Sequence, residues 1–257
     1  MSAKELASAR SCWKRRNIRD GRRSRYVEVE EVSLDTVRAD AVENGLVDEV
    51  VSILATGKEA DVYVGLRKNV RLALKVYPLH RTPHRKKSAI GYSVDRVGQI
   101  AANEFTILEK AYRAGVRVPT PARRVDNMFT MRFLGGETHA RQLKDVELFN
   151  PEATMRQALE IIEHLLLDAC IIHGDLSEYN LLLFNYDVFV IDFPQAVDLS
   201  SRVNRQLRFE KAQPLLQRDL ENVGRYFAKY DLDFDSESEY ERLVREFESR
   251  HLSARLN

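Results

Sequence analysis

Cysteine is almost missing from this chain, with only Cys12 and Cys170 among 257 residues. Two thiols cannot build a disulfide framework or a cysteine-based zinc site, and Cys170, at the end of an apolar helical stretch, reads as a core thiol. Long hydrophobic runs are missing too. No stretch of about eighteen apolar residues occurs, and the N-terminus lacks the apolar segment of a signal peptide. A cytoplasmic protein with no membrane partner is therefore the expectation. Net charge of one sign is absent, since Lys+Arg 40 stands against Asp+Glu 39, and no global field advertises a polyanionic partner. There is no internal repeat and no long Pro/Gly/Ser linker. What remains, 44% apolar and 31% charged, describes an ordinary globular chain, long enough for one large domain or two lobes.

Charge is uneven along the chain. Arg10, Lys14, Arg15, Arg16, Arg19, Arg22, Arg23 and Arg25 face a single acid, Asp20. With the loop Arg81–Lys87 this makes RNA contact a candidate, although basic runs are most often solvated surface. Ser33 can cap a helix from Leu34 to about Asn44, stopped by Gly45. The period then changes to strand around Val50–Leu54, Val62–Val64 and Leu72–Tyr77, predicting three antiparallel strands. Residues 78–98 are polar, basic and Gly-containing, and predict a mobile loop. A helix follows over Gln99–Ala114, then an extended Val116–Pro121, a strand over Phe129–Phe133 and the Gly135-Gly136 break. A long helix is expected over Pro151–Ala169, another begins at Pro214 and runs to about Lys229, and a last one, capped within Ser236–Ser238, ends near Leu252. The chain thus divides into a basic arm and helix (1–46), a sheet-rich lobe (47–134) and a mostly helical lobe (135–257), an α+β arrangement.

One constellation carries chemistry. In His173-Gly-Asp-Leu-Ser-Glu-Tyr-Asn180, Asp175 and Asn180 lie five residues apart, and Ile191-Asp192 closes an apolar run just beyond. Magnesium–ATP phosphotransfer needs an acid to take or orient a hydroxyl proton, and an amide oxygen and a second carboxylate to hold metal ions. Leu181–Phe184, Asn185–Asp187 and Val188–Ile191 read as a tight hairpin, which would return Asp192 to the neighbourhood of Asn180. Taken alone, D-x-x-x-x-N recurs by chance; the His-Gly-Asp start and the Asp192 ending narrow it. Lys75, among apolar neighbours in Ala73-Leu-Lys-Val76, would need an anionic partner if buried. Glu104 interrupts the apolar stripe Ile100, Leu108, Ala111/Tyr112 and supplies one, in the lysine–glutamate arrangement that kinases use to position ATP phosphates. The segment Thr56, Gly57, Lys58, Glu59, Ala60 and Asp61 stands where a phosphate-covering loop belongs, though it is not G-x-G-x-x-G and could equally be a plain hairpin turn. Met131-Arg-Phe-Leu134 lies where two lobes would join, and backbone groups of Arg132 and Leu134 could read an adenine edge; a simple core strand is the other reading.

Together, Thr56-Gly-Lys-Glu-Ala-Asp-Val-Tyr63, Lys75, Glu104, His173–Asn180, Ile191-Asp-Phe-Pro-Gln195 and Arg218-Asp-Leu-Glu-Asn-Val223 resemble the RIO family of atypical protein kinases over about residues 33–230. The resemblance implies a bilobal protein-kinase-like fold with a truncated helical C-lobe, and ATP and Mg2+ as cofactors. It implies that Lys75 binds ATP, that residues 56–62, Val62 included, cover the triphosphate, that Asp175 accepts the proton and that Asn180 and Asp192 bind magnesium. It further implies autophosphorylation, an aspartyl-phosphate on Asp192, and a role in small-ribosomal-subunit assembly with pre-ribosomal particles or rRNA as partners. Residues 80–98 would be the family's flexible loop, and Arg132 stands where family members carry an acid at the first hinge position. The absence of a helix-turn-helix pattern in 1–46 favours the branch without an N-terminal winged helix, although D-F-P-Q resembles the winged-helix branch. The part after Asp192 is short and lacks an A-P-E string, so no peptide-docking platform is expected. Two other readings stand beside this one: a small-molecule kinase of the aminoglycoside or choline type, and a nucleotide-gated RNA- or ribosome-binding module with little turnover.

Overall fold

The computed structural model describes residues 34–77 and 94–252. The basic stretch Arg10–Arg25, the loop Arg81–Lys87 and the cap Ser33 lie outside the described residues. The chain divides into two compact units, one made of residues up to Phe105 with Pro121–Phe133, the other of Thr106–Thr120 with Leu134 onward.

In the first unit, helix α1 (Leu34–Glu43) buries Leu34, Val37 and Ala41 on one stripe, the i, i+3, i+7 spacing of an amphipathic helix. Gly45, at φ +64°, ends it, a conformation that costs glycine nothing. Five strands follow: β1 (Glu49–Thr56), β2 (Asp61–Arg67), β3 (Val70–Val76), β4 (Pro121–Val125) and β5 (Met128–Arg132). They form one antiparallel sheet in the order β1-β2-β3-β5-β4. Gly65 of β2 lies directly beneath Val47, whose side chain would collide with any Cβ there. Helix α2 (Val94–Arg113) begins five residues before the Gln99 start expected from the sequence. Strand β4 is also additional: its middle, Ala122-Arg-Arg124, is exposed, so this edge strand shows no apolar alternation for a sequence pattern to detect.

The second unit is mostly helical. Its short strands are β6 (Arg141–Gln142), β7 (Ile171–Ile172), β8 (Leu181–Phe184), β9 (Asp187–Val190) and β10 (Val197–Asp198). Helix α3 (Pro151–Leu167) is capped by the Asn150 side chain, which accepts from Ala153 N–H at 3.0 Å, with Pro151 opening the first turn. Helix α4 (Arg205–Ala228) corrects the sequence reading: Pro214 does not start it but sits inside it, nine residues past its beginning. A proline mid-helix has no N–H for the carbonyl four residues back. The helix persists because Phe209, Ala212, Leu216, Leu220, Val223 and Phe227 form one continuous buried face. Helix α5 (Ser236–Phe247) is capped by Asp235, one residue earlier than expected, accepting from Ser238 N–H at 3.0 Å. Phe247 of α5 stacks on Phe209 of α4 with ring centroids 4.3 Å apart. Among the described residues no helix is long and apolar enough to cross a membrane.

Candidate active site

The first unit contributes a buried cation. Lys75 Nζ lies 2.7 Å from Glu104 Oε1, and the two residues are only 7% and 3% exposed. The ion pair expected from the stripe pattern is therefore formed. Sequence reasoning missed its third member, Tyr77, whose buried hydroxyl donates to Glu104 Oε2 and whose ring lies 5.3 Å from Lys75 Nζ. Asn127 pins Tyr77 in turn: the Tyr77 N–H donates to the Asn127 carbonyl at 3.0 Å, and Asn127 Nδ2 to the Tyr77 carbonyl at 2.7 Å. Burying two opposite charges is tolerable only when each keeps good partners, and Tyr77 supplies one of them.

Strand register sorts the remaining candidates. Val62 pairs with Lys75 and Met131 with Ala73, so Val62, Ala73 and Met131 share the Lys75 face of the sheet. Val62 and Met131 are partly exposed, giving an apolar shelf beside the ammonium. Asp61 pairs with Val76 and Arg132 with Leu72, which turns both toward the opposite face. Between β1 and β2, Thr56, Gly57 and Lys58 are exposed while Ala60 is buried and Glu59 is half-buried. The turn is tight, since Gly57 N–H donates to the Ala60 carbonyl at 2.9 Å and a Cβ on Gly57 would approach that oxygen to 2.8 Å. Leu134 falls in the second unit, its carbonyl accepting from Ala140 N–H at 2.8 Å.

The second unit holds the His173–Asn180 loop by its backbone. Asp219 of α4 accepts from Gly174 N–H and Leu176 N–H, both at 2.8 Å. Arg218 donates to the Gly174 carbonyl, and Asn222 Nδ2 to that of Leu176 at 2.9 Å. Arg218, Asp219 and Asn222 of α4 thus satisfy both backbone groups of Gly174 and both of Leu176. The sequence hint was an acid within the apolar stripe Leu216, Leu220, Val223, but nothing local says what it holds. Burial pushes the Asp219 carboxyl up to about 7, against the pull of the two N–H donors and Arg218 in the other direction. Gly174 needs to be glycine on two counts: its φ is +77°, and a Cβ would come within 3.0 Å of the Gln195 carbonyl.

His173 ties this loop to the segment carrying Asp192. Its Nδ1 accepts from Asp175 N–H at 3.3 Å and its Nε2 lies 3.1 Å from the Ile191 carbonyl. A backbone N–H can only donate and a carbonyl only accept, so these two contacts fit the tautomer with its proton on Nε2. Across the β8–β9 hairpin, Leu181 pairs with Val190 and Ile191 N–H donates to the Asn180 carbonyl at 3.0 Å. The hairpin does what its pattern implied, returning Asp192 to the neighbourhood of Asn180. Asn180 Nδ2 donates to the Asp175 carbonyl at 2.8 Å, which turns Oδ1 outward as an acceptor. Asp175 and Asp192 are both exposed. Asp192 sits at φ +72°, a sparsely populated conformation of the kind that clusters at functional sites.

The donor set of Asn180 and Asp192 is all oxygen, which suits a hard ion such as Mg2+, bound through one or two carboxylates with water and substrate phosphates completing the shell. No group of three or more His, Cys, Asp or Glu that could hold a metal occurs among the described residues. A metal held mainly by protein side chains, as in a zinc centre, does not fit; an ion shared with a nucleotide does.

Residues 61–240 match the RIO domain family. The chain is 32% identical over 213 residues to the RIO-type serine/threonine-protein kinase Rio1 of Haloferax volcanii, covering 78% of this chain and 70% of that protein. It is 34% identical over 209 residues to the RIO-type serine/threonine-protein kinase Rio2 of Methanocaldococcus jannaschii, covering 76% and 74%. Its fold is similar to that of the Rio2 kinase from Chaetomium thermophilum, at TM-score 0.64 and 18% identity over 92% of this chain and 78% of that one. The same kinase solved as an ADP/Mg2+-phosphoaspartate complex gives TM-score 0.59 and 21% identity over 83% and 66%.

Proposed function

Because this chain belongs to the RIO domain family, we propose that it is a magnesium–ATP-dependent serine/threonine protein kinase with ATPase activity. The observation that carries this reading is the His173–Asn180 loop. Its backbone is fastened by Arg218, Asp219 and Asn222 while the Asp175 carboxylate stays exposed, and the β8–β9 hairpin sets Asp192 beside Asn180. Lys75, oriented by Glu104 and Tyr77, would bind the α- and β-phosphates, and the shelf of Val62, Ala73 and Met131 would take the adenine face. Residues 56–61 would cover the triphosphate. Asp175 would orient the attacking hydroxyl or water and accept its proton, the work of a general base. Bound through Asn180 Oδ1 and Asp192, Mg2+ would neutralise phosphate charge.

A phosphoenzyme on Asp192 belongs to the same reading. A carboxylate oxygen would form a bond to the γ-phosphorus as the bridging bond to ADP breaks, and water would later release phosphate and regenerate the carboxylate. Its support is the strained Asp192 backbone and the place of Asp192 beside Asn180 at the end of the β8–β9 hairpin. Incubation of the full chain with γ-labelled ATP tests both steps. Expected are slow ADP release and a label labile to hydroxylamine and alkali. Asp175→Asn should reduce ADP release about 10²–10⁴-fold, and wild-type rates in that variant would remove Asp175 from its role. Absence of any hydroxylamine-labile label on Asp192 would overturn the covalent step alone. The relatives reported above are protein kinases by name, which gives a small-molecule kinase no support.

Pre-ribosomal particles or rRNA are proposed as partners on the basic stretch Arg10–Arg25 and the family resemblance. Binding to single-stranded rRNA should weaken with salt at a slope of about −0.7 per phosphate contact, and deleting residues 1–25 should flatten that slope. An unchanged slope would return the arm to solvated surface.

A further inference from the structure

The start of α4 is electrostatically inverted. Helix N-termini favour acids, because the first N–H groups leave partial positive charge there. The first turn of α4 has no acid, and its cap, Asn204, makes no side-chain bond to the helix. Instead, Arg205 and Arg208 stand at this end. Arg205 donates to the carbonyls of Ser200, Ser201 and His251, and Arg208 to those of Asp198 and Ser201. Among the described residues neither guanidinium forms a salt bridge, and Arg208 Nε is shielded from solvent with no hydrogen-bond partner. The nearest acid in the segment, Asp198, is already taken by Lys110 and by the Ser200 N–H. Two guanidiniums therefore converge on the Ser201 carbonyl with only neutral acceptors.

Ser201 is exposed, and its hydroxyl accepts from Val203 N–H at 3.3 Å. The Oγ is thus held in a local turn just before α4, on the residue whose carbonyl both arginines hold. We propose that Ser201 is a phosphorylation site, modified by this chain itself from ATP, and that Arg205 and Arg208 are the receptacle for the resulting phosphate. In the transfer, Ser201 Oγ bonds to the γ-phosphorus, the bond from that phosphorus to the β,γ-bridging oxygen breaks, ADP leaves and the hydroxyl proton passes to a carboxylate base. The product adds roughly −1.5 to −2 charges and three strong acceptors. Guanidinium–phosphate pairs are strong, geometrically matched hydrogen-bonding partners, and the new anion would also compensate the α4 dipole. The transfer rests on the phosphotransfer reading above; the receptacle does not.

The test has two arms, both on the full chain. In the first, phosphoserine is installed at position 201 during synthesis and its phosphate is titrated by phosphorus NMR, with no nucleotide present. Against the ordinary second pKa of about 6, the midpoint should fall by about one unit in the folded protein and return when the chain is unfolded in urea. Arg208→Gln and Arg205→Gln should each recover part of that shift, whereas Arg208→Lys should keep most of it. Equal midpoints in the folded and unfolded chain would overturn the receptacle. In the second arm, wild-type protein is incubated with Mg–ATP and mapped by mass spectrometry after acid treatment, which destroys acyl phosphates. Acid-stable phosphate on Ser201, absent in Ser201→Ala, is the expected result. ADP release without phosphate on Ser201 overturns the self-modification and leaves the phosphotransfer reading standing; no ADP release at all overturns that reading, and the self-modification with it.

Discussion

A buried carboxylate and a buried three-residue cluster steady the site, and each makes a sharp prediction at the residue scale. Asp219 has its folded pKa raised by burial from an ordinary 3.8 to about 7. A raised acid binds its proton more tightly folded than unfolded, so its stabilising effect is fully present below about pH 4 and is lost as pH climbs to about 7. Relative to Asp219→Asn, the wild-type protein should therefore lose up to about 4 kcal/mol of unfolding free energy between those limits. Urea melts of both proteins at several pH values check this, and a difference independent of pH would contradict it. The Lys75–Glu104–Tyr77 cluster predicts a graded response. Lys75→Met leaves the buried Glu104 without its cation and should cost about 3–5 kcal/mol. Tyr77→Phe removes one donor and should cost about 1–3 kcal/mol. In the double variant Lys75→Met/Glu104→Leu stability should largely return, because no unpaired charge remains, while ADP release stays abolished. Recovery of turnover there would mean that Lys75 has only a structural role.

At the scale of elements, two local conflicts between chain and fold are open to measurement. The β8–β9 turn places Asn185 and Tyr186 at φ +52° and +68°, the left-handed pair that a two-residue hairpin requires. Asparagine tolerates this; tyrosine, 81% exposed and without packing to offset the strain, does not. Tyr186→Gly should stabilise the protein by about 1 kcal/mol, read as a raised midpoint in urea. Pro214 inside α4 is the second conflict. A helix-interior proline costs about 3 kcal/mol, part of which the surrounding packing has absorbed, so Pro214→Ala should stabilise by roughly 1–3 kcal/mol. Because α4 carries Arg218, Asp219 and Asn222 one to two turns further on, ADP release measured alongside would show whether a straightened helix still presents them to the loop. Phe209→Ala, by contrast, empties the contact with Phe247 and should cost about 3–5 kcal/mol.

For the whole molecule, ligand linkage offers the simplest check. If Mg–ATP binds the folded chain alone, nucleotide at a hundred times its Kd should add about 2.7 kcal/mol to stability, and chelation of magnesium or Asp192→Asn should remove most of that gain. The sequence by itself determined which candidate side chains come together. Asp175, Asn180 and Asp192 are fixed by a loop and a hairpin, in which neighbours along the chain set the geometry, so their grouping follows from spacing alone. Lys75 and Glu104 were legible for a related reason: a charge within an apolar strand and another within an apolar helix stripe each require a partner. Periodicity likewise placed most helices and the longer strands, failing where an edge strand has no buried face (β4), where a strand is only two residues long (β6, β7, β10) or where tertiary packing carries a helix through a proline (α4). Only the tertiary structure decided what steadies the site. Asp219 reaches loop residues 45 and 43 positions away, and Tyr77 meets Glu104 across 27. Contacts at such separation leave no periodic trace; they exist because burial brings polar groups together and leaves each needing the other's hydrogen bonds.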